Sequence, residues 1–184
     1  EAISATGDAS SLVREVEEGA ERLSAIVGAL KSYSHLDRAA VQEVDLHRGL
    51  DDTLLILKRK LDGIDIRRQY AEGPMMIEAY ASELNQVWTN LIDNAADAVA
   101  DTAGAILAIR TSSRGDDIVV EIEDNGSGIP PEIVDRVFDA FFTTKPPGSG
   151  TGLGLDISYG IISDRHRGEL TVTSEPGRTV FRAA

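Results

Sequence analysis

The feature of this sequence that most restricts its fold is the glycine-rich run GSGTGLGL, from Gly148 to Leu155, which merges with the apolar run LDISYGII. Glycines let main-chain N–H groups approach an anion closely, and the first turn of a helix adds unpaired donors at the positive end of its dipole. The run therefore predicts a phosphate-binding loop. It is not a P-loop, because Leu155 and Asp156 follow its last glycine where that motif has Lys and Ser/Thr. The dinucleotide fingerprint is disfavoured too, since that motif follows a strand early in the chain.

Composition restricts the class of protein further. The chain has 184 residues, which suits one domain with an appendage, and it has no Cys, so disulfides and thiolate metal sites are excluded. Its net charge of −13 argues against a nucleic-acid-binding surface. Neither a signal peptide nor an apolar run of roughly 18 residues is present, so we expect no membrane contact in this part of the chain and a cytoplasmic location. The start at Glu1 suggests a piece of a longer protein.

Residues 1–38 form the expected appendage, a long helix with heptad spacing. A stripe of this kind needs a partner, because one helix alone does not bury it in water. We expect a coiled-coil or four-helix-bundle element that forms a homodimer; the alternative is a helix packed on its own domain. The stripe, spaced 4-3-4-3-4-3, consists of Leu12, Val16, Gly19, Leu23, Ile26, Leu30 and Tyr33.

Residues 39–184 alternate between strand and helix patterns and predict an α+β fold, an α/β sandwich with helices on one face of a mixed sheet. Seven short strand patterns run from QEVDL to RTVFRA. The predicted helices are LHRGLDDTLLILKRKL, SELNQVWTNLIDNAADAVA with Ser82 as N-cap, PPEIVDRVF and LGLDISYGIISDRH.

The helix pattern NLIDNAADA carries an unexpected pair of amides. Asn90 and Asn94 are four residues apart, so both project from one helical face, with Asp97 nearby. Asn is a poor helix former, which makes a simple solvated face the alternative to a function. A side-chain carbonyl here could supply one oxygen ligand to Mg²⁺, which keeps most of its coordination for water and phosphates.

Two further motifs favour a nucleotide. In DNGSGI, Asp124 ends an apolar strand, and Gly126 and Gly128 would leave space beside a carboxylate that can accept a hydrogen bond from an exocyclic amine. An ordinary turn is the alternative for this short motif. In FDAFFTTK, aromatic residues precede a Gly/Pro-rich loop, which suggests a hinge and a lid from which Lys145 could reach a phosphate. At least one of the three Phe is expected in the core.

Taken in this order, ELNQVWTNLIDNAADAV, DNGSGIP, VFDAFFTTK and GTGLGLDIS resemble the N, G1, F and G2 boxes of bacterial sensor histidine kinases. The resemblance covers about residues 40–184 and implies the Bergerat-type ATP-binding fold shared with gyrase, Hsp90 and MutL. It is strongest for kinases of the nitrogen-regulation type. The leading helix with ALKSYSHLD resembles the second helix of the kinase dimerisation hairpin.

The resemblance also implies roles and ligands. ATP and Mg²⁺ would be the cofactors, and a response regulator protein would be a partner. Asn94 would bind the metal, Asn90 would lie near the phosphates, and Lys145 would belong to the lid with Thr143 and Thr144. Asp124 would read the adenine amine with help from Thr179. The whole implied nucleotide set is Asn94, Asp97, Asp124, Gly126, Gly128, Ile129, Phe142, Thr143, Thr144, Lys145, Gly150, Thr151, Gly152, Leu153, Gly154, Leu155 and Thr179.

Asn90 and the histidines bear on the reaction. The resemblance implies that gyrase-like ATPases have a water-activating glutamate where Asn90 stands, and an amide is no base at neutral pH, so transfer to a supplied nucleophile is favoured over hydrolysis. None of the three histidines, His35, His47 and His166, has the sequence context of a phospho-acceptor, which is therefore expected N-terminal to Glu1. His47 starts a helix pattern, which favours a capping or surface role, and the resemblance implies a structural role for His166. Alternatives are a serine kinase of the anti-sigma type and a dimeric nucleotide sensor without catalysis.

Overall fold

The computed structural model describes residues 41–115, 117–146 and 150–184. The predicted dimerisation helix over residues 1–38 lies outside the described residues. Within them no helix combines the length and the apolar character needed to cross a bilayer. In chain order the elements are β1 Gln42–Asp45, α1 Leu46–Ile56, β2 Asp65–Gln69, β3 Met76–Ala79, α2 Ala81–Ala98, β4 Ile106–Arg114, β5 Asp117–Asp124, α3 Gly154–Gly160, β6 Leu170–Glu175 and β7 Arg178–Ala183.

The central layer is a five-stranded sheet with strand order β2-β4-β5-β7-β6, and β1 and β3 form a separate antiparallel pair. Strand β2 runs parallel to β4, because the intervening β3 and α2 return the chain to the same end of the sheet. The other neighbours are antiparallel, so the sheet is mixed, as the alternation of patterns predicted. The pairing of β5 with β7 sets Asp124 opposite Thr179.

The core lies between this sheet and the helices, with α2 at its centre. Apolar residues of α2 and the turn after it recur every three or four positions, so they share the face that the sheet covers. From the sheet side the core receives Leu107, Ile109, Ile122 and Phe181, all nearly free of solvent contact. The expected α+β fold with helices on a mixed sheet is confirmed. The buried residues of this helical face are Leu84, Val87, Trp88, Leu91, Ile92, Ala95 and Val99.

The helix after β1 is shorter than its leucine spacing predicted. Helix α1 ends at Ile56, and residues 57–63 continue as turns in which Leu61 is buried. Gly63 then adopts a φ of +84°, which lets the chain reverse into β2. The expectation that the helix extends to Leu61 was therefore wrong, because a turn buries this leucine equally well. These turns also carry the side chain of Lys60 to α2.

The start of α2 also differs from the prediction. Ser82 is not the N-cap: the helix begins at Ala81, and Tyr80 precedes it without a side-chain cap bond. Instead, the backbone N–H of Tyr80 donates to Nε2 of His166 at 3.3 Å, while Nδ1 of His166 lies 2.9 Å from the carbonyl of Ile161. This histidine therefore fixes the helix entry, a tertiary contact that local sequence does not reveal.

One other helix prediction was too long. The segment PPEIVDRVF contains only a short 3-10 turn, Val134–Arg136, and of its residues only Val137 is buried. With so small an apolar face, packing does not stabilise a longer helix. The helix predicted over LGLDISYGIISDRH is present: it begins at Gly154 and continues at Ile161 as a π-helical turn that reaches Arg165.

Candidate functional site

A cleft of about 530 Å³ opens between α2, the end of β5 and the segment that precedes α3. It collects every residue that the sequence assigned to nucleotide binding except Gly126 and Leu153, together with Asn90. Gly148 lies outside the described residues, and the described part of the glycine loop starts at Gly150. The lining residues are Asn90, Asp93, Asn94, Asp97, Ala98, Asp124, Ser127, Gly128, Ile129, Ile133, Val137, Phe142, Thr143, Thr144, Lys145, Gly150, Thr151, Gly152, Gly154, Leu155, Thr179 and Phe181.

One end of the cleft is built around the carboxyl group of Asp124, at the last residue of β5. The residue is 3% exposed, and its Oδ1 accepts the N–H of Gly126 at 2.9 Å. Burial raises its pKa to about 6, against the opposing effect of the Gly126 hydrogen bond, and the charge of Glu123 adds to the rise. A buried carboxylate with unused lone pairs suits an amine donor that replaces its lost hydration.

Neutral polar groups surround this carboxylate. Thr179, also 3% exposed, stands opposite Asp124 across the β5–β7 pair. Its hydroxyl lies 2.8 Å from Oγ of Ser174, which accepts the N–H of Ile129 at 2.7 Å. Ser174 was missed at the sequence level, because only the pairing of β6 with β7 brings it to Thr179. The chain of hydrogen bonds fixes the segment after Asp124 to the sheet.

The glycines of DNGSGI have a different physical reason from the one expected. A Cβ on Gly126 would lie 2.5 Å from the carbonyl oxygen of Ala98, and one on Gly128 would lie 2.6 Å from that of Glu175. Gly128 also has a φ of +82°. These glycines are needed because backbone from α2 and from the β6–β7 turn packs directly against them. Only Gly128 reaches the cleft.

The paired amides of α2 have separate contacts. Nδ2 of Asn90 donates to the carbonyl of Gly154 at 2.8 Å and to Oγ of Ser158 at 3.1 Å. The hydroxyl of Ser158 donates to the same carbonyl at 2.8 Å. Asn90 therefore joins α2 to the first turn of α3 and fixes the glycine loop against the cleft.

Asn94 and its neighbours form the charged end of the cleft. Nζ of Lys145 donates to Oδ1 of Asn94 at 3.1 Å and forms an ion pair with Oδ2 of Asp97. Lys60, which lies outside the cleft lining, approaches Oδ1 of Asp97 at 2.5 Å and Oδ1 of Asp93 at 2.6 Å. Burial alone would raise the pKa of Asp97, but hydrogen bonds from Lys145 and Lys60 outweigh it and lower that pKa.

The donor set at Asn94 fits a hard divalent cation. Its amide oxygen already accepts from the ammonium group of Lys145, so a positive charge is stabilised at this position. Nowhere in residues 41–115, 117–146 and 150–184 do three His, Cys, Asp or Glu side chains cluster as a metal site. A lone amide oxygen such as Oδ1 of Asn94 fits the needs of Mg²⁺, which in phosphate sites takes one or two protein oxygens and completes its shell with water and phosphates.

The glycine loop is shaped by close backbone contact. Gly152 has a φ of +67°, and a Cβ there would lie 2.4 Å from the carbonyl carbon of Phe141. Phe141 itself has a φ of +66° and is 65% exposed, whereas Phe138 packs on the core against Phe181. The expectation of at least one core Phe in FDAFFTTK is thus met only by Phe138, which is partly buried and packs against the core. The third, Phe142, lines the cleft beneath the guanidinium of Arg136, which lies 4.7 Å from its ring centroid.

Neither described histidine reaches the cleft. Nε2 of His47 lies 2.8 Å from Oγ1 of Thr111, and its ring stacks on Tyr70. The predicted capping or surface role of His47 was therefore wrong: Asp45 caps α1, and His47 packs against the sheet. His166, predicted to be structural, contacts Tyr80 and Ile161, as described above.

Several cleft residues were not identified from the sequence. Asp93 could have been found, because it lies four residues before Asp97 on the same helical face. Ala98, one turn after Asn94, and Ser127, inside DNGSGI, could have been found in the same way. No local signal points to Ile133, Val137 and Phe181, which strand pairing and loop packing bring to the cleft.

Comparison with known proteins places this cleft in a family. Residues 79–183 match the family described as "Histidine kinase-, DNA gyrase B-, and HSP90-like ATPase". The sensor kinase CckA of Brucella abortus is 32% identical over 188 residues, covering 92% of this chain and 20% of the relative. The sensory histidine kinase/phosphatase NtrB of Azospirillum brasilense is 31% identical over 188 residues, covering 94% of this chain and 46% of the relative. The chain thus spans less than half the length of these curated relatives.

Solved structures agree with the fold. The catalytic domain of histidine kinase ThkA superposes with a TM-score of 0.70 at 28% identity, over 78% of this chain and 93% of that one. ThkA in complex with the response regulator TrrA gives a TM-score of 0.73 at 24% identity, over 91% of this chain and 48% of that one. The expected resemblance to histidine kinases is confirmed. The nitrogen-regulation type is not singled out, because CckA matches as well as NtrB does.

Proposed function

The chain belongs to the histidine kinase-, DNA gyrase B- and HSP90-like ATPase family, and we propose that it is the catalytic part of a sensor histidine kinase. In this proposal the cleft binds ATP with Mg²⁺ and the γ-phosphoryl group passes to a histidine side chain. A response regulator aspartate would then accept the group. The heptad helix would hold two copies together, and the reaction would take place in the cytoplasm.

The observation that carries the proposal is the composition of the two ends of the cleft. A buried carboxylate, Asp124, marks one end and an amide oxygen, Asn94, marks the other, and the glycine loop lines the same cleft. An adenine nucleotide has the matching order of groups: an exocyclic amine, then a sugar, then phosphates with their metal. Nucleotides of guanine and cytosine have the same order of groups, and the match to an ATPase family selects adenine among them.

Each end of the cleft has a distinct task in binding. The carboxylate of Asp124 accepts from the adenine amine, with the hydroxyl of Thr179 beside it. Backbone N–H groups of residues 150–155 and the ammonium of Lys145 neutralise phosphate oxygens. Mg²⁺, when bound, supplies charge neutralisation at the β- and γ-phosphates, and Oδ1 of Asn94 would be its protein ligand.

Transfer rather than hydrolysis follows from the contacts of Asn90. Its amide group donates hydrogen bonds to the carbonyl of Gly154 and to Oγ of Ser158, and so positions the glycine loop. An amide is not a base that can take a proton from water. In the transfer, an imidazole nitrogen of the acceptor forms the new bond to the γ-phosphorus, the bond from that phosphorus to the bridging oxygen breaks, and ADP leaves with the electron pair. Because His47 and His166 lie outside the cleft, another segment or chain must supply the acceptor.

The test is phosphorylation in trans. The chain is mixed with Mg²⁺, labelled ATP and a separate helical-hairpin fragment that carries an acceptor histidine from a kinase of this family. An acid-labile, alkali-stable label on that fragment is the expected product, and the Asp124→Asn variant should give none. An acid-stable label on serine would instead support the anti-sigma type of kinase. Nucleotide binding without any transfer would support the non-catalytic sensor.

A further inference from the structure

Lys60 lies in the turns between α1 and β2, outside the four motifs and outside the lining of the cleft. Its Nζ is nevertheless 2.6 Å from Oδ1 of Asp93 and 2.5 Å from Oδ1 of Asp97, one turn apart on α2. Both carboxylates line the cleft. Lys60 therefore contacts them from behind, from outside the lining of the cleft.

The carboxylate of Asp97 is shared by two lysines. Lys60 contacts its Oδ1, and Lys145 contacts its Oδ2 while also donating to Oδ1 of Asn94. Lys145 comes from the loop at the charged end of the cleft. Lys60 comes from a turn that the buried side chain of Leu61 fixes to the core. One lysine can thus leave Asp97 while the other stays.

The proposed function creates a charge problem at this point, and the following inference rests on it. If Lys145 moves to a phosphate and Asn94 turns to the metal, Asp97 and Asp93 face the triphosphate. Two like-charged groups within a few ångströms of a polyanion oppose its binding. We propose that Lys60 is a positioning residue that neutralises Asp97 and Asp93 from behind, so that Lys145 is free to bind the phosphates.

A merely stabilising ion pair would behave differently. The side chains of Lys60 and Asp97 are 35% and 33% exposed, and pairs this exposed contribute at most about 1 kcal/mol to folding. A loss of Lys60 would then lower stability slightly and affect all ligands alike. Under the proposal, removal of Lys60 weakens the binding of ligands that carry phosphates and leaves the binding of the nucleoside unchanged.

The first experiment is calorimetry on the full chain with a non-hydrolysable ATP analogue in Mg²⁺ and, separately, with adenosine. Lys60→Met should weaken binding of the analogue about tenfold and leave adenosine binding unchanged. Lys60→Arg should retain most of the affinity. Lys58→Met, which removes a neighbouring lysine that forms no ion pair among the described residues, should match the parent chain. Thermal unfolding of each variant verifies that it folds.

The second experiment measures coupling to Asp97. In an Asp97→Asn background, Lys60→Met should weaken binding of the analogue by less than about threefold, the remainder acting through Asp93. An undiminished tenfold effect there, an equal loss for adenosine, or no effect of Lys60→Met on the analogue would each overturn the inference. If the parent chain binds no ATP analogue at all, the proposed function fails instead.

Discussion

The two ends of the cleft are built on opposite physical principles. The adenine end consists of Asp124, Thr179 and Ser174, held by strand pairing and by hydrogen bonds among neutral groups. The phosphate end consists of Asn94, Asp97 and the lysines around them, about one third exposed and held by ion pairs. The first end has one unpaired charge that burial makes costly, and the second has several charges that neutralise each other.

This difference indicates which end selects the ligand and which end adapts to it. A buried carboxylate fixed by a sheet has no alternative partner, so it rejects a base that lacks the matching amine. Exposed ion pairs exchange partners at small cost, so they can release Lys145 when phosphates arrive. We expect changes at the adenine end to be large and specific, and changes at the phosphate end to be smaller and dependent on Mg²⁺.

The largest expected effect is that of Asp124→Asn. Losing the charged acceptor should weaken binding of an ATP analogue at least about 100-fold, as measured by calorimetry. Burial raises the pKa of Asp124 to about 6, which means that the charged form is costly at pH 7. Removing that charge should raise the free energy of unfolding at pH 7 by about 1–3 kcal/mol. Asp117→Asn, at the exposed start of the same strand, is the control and should change neither quantity. A destabilised Asp124→Asn would contradict the proposed cost of burial.

A pair of glycine substitutions compares how rigid the two ends are. Gly128→Ala should lower the free energy of unfolding by about 2 kcal/mol, roughly 30-fold in the folding equilibrium, because the new Cβ meets the backbone of Glu175. Gly152→Ala should cost at least as much, because its Cβ would lie 2.4 Å from the carbonyl carbon of Phe141, and it should also weaken nucleotide binding. Gly177→Ala, with the same positive φ and nothing within 4 Å, measures the backbone cost alone. Losses of stability in urea no larger than that of Gly177→Ala would contradict the close backbone contacts at either end.

Asn94→Ala tests the phosphate end directly. In Mg²⁺ the variant should bind the ATP analogue about twentyfold more weakly, and its affinity should no longer respond to the metal, because the protein oxygen ligand is missing. Asn85→Ala removes an exposed amide of the same helix outside the cleft and should behave like the parent chain. If the affinity of the variant for the ATP analogue still differs with and without Mg²⁺, Asn94 is not the ligand of the metal.

The pH dependence of adenosine binding gives the smallest expected effect. The pKa of Asp124 is raised to about 6, so the carboxyl group is mostly ionised at pH 7 and mostly protonated at pH 5. Adenosine affinity should fall about tenfold between pH 7 and pH 5, because a protonated carboxyl group accepts the amine less well. Unfolding does not explain such a fall: a raised carboxyl pKa gives stability that is full below about pH 4 and is lost as the pH rises through 6. A constant affinity over this range would show that the carboxylate does not read the base.

Much of the adenine end was predictable, because its signals are local. An apolar strand ending in a carboxylate followed by DNGSGI placed Asp124 at the edge of the cleft. The glycines were identified for the wrong reason, since their partners, Ala98 and Glu175, are distant in sequence. Ser174 and Phe181 gave no signal, because a strand residue acquires its neighbours only when the sheet pairs.

The sequence by itself determined the α+β fold, the order of the four motifs and the two amides on one helical face, because periodicity and glycine placement act over a few residues. Tertiary structure alone decided where α1 ends, that His166 rather than Ser82 fixes the start of α2, and that Lys60 and Lys145 meet at Asp97. Turns, helix ends and ion pairs each lie within about 1–2 kcal/mol of their alternatives, so packing between distant segments selects among them.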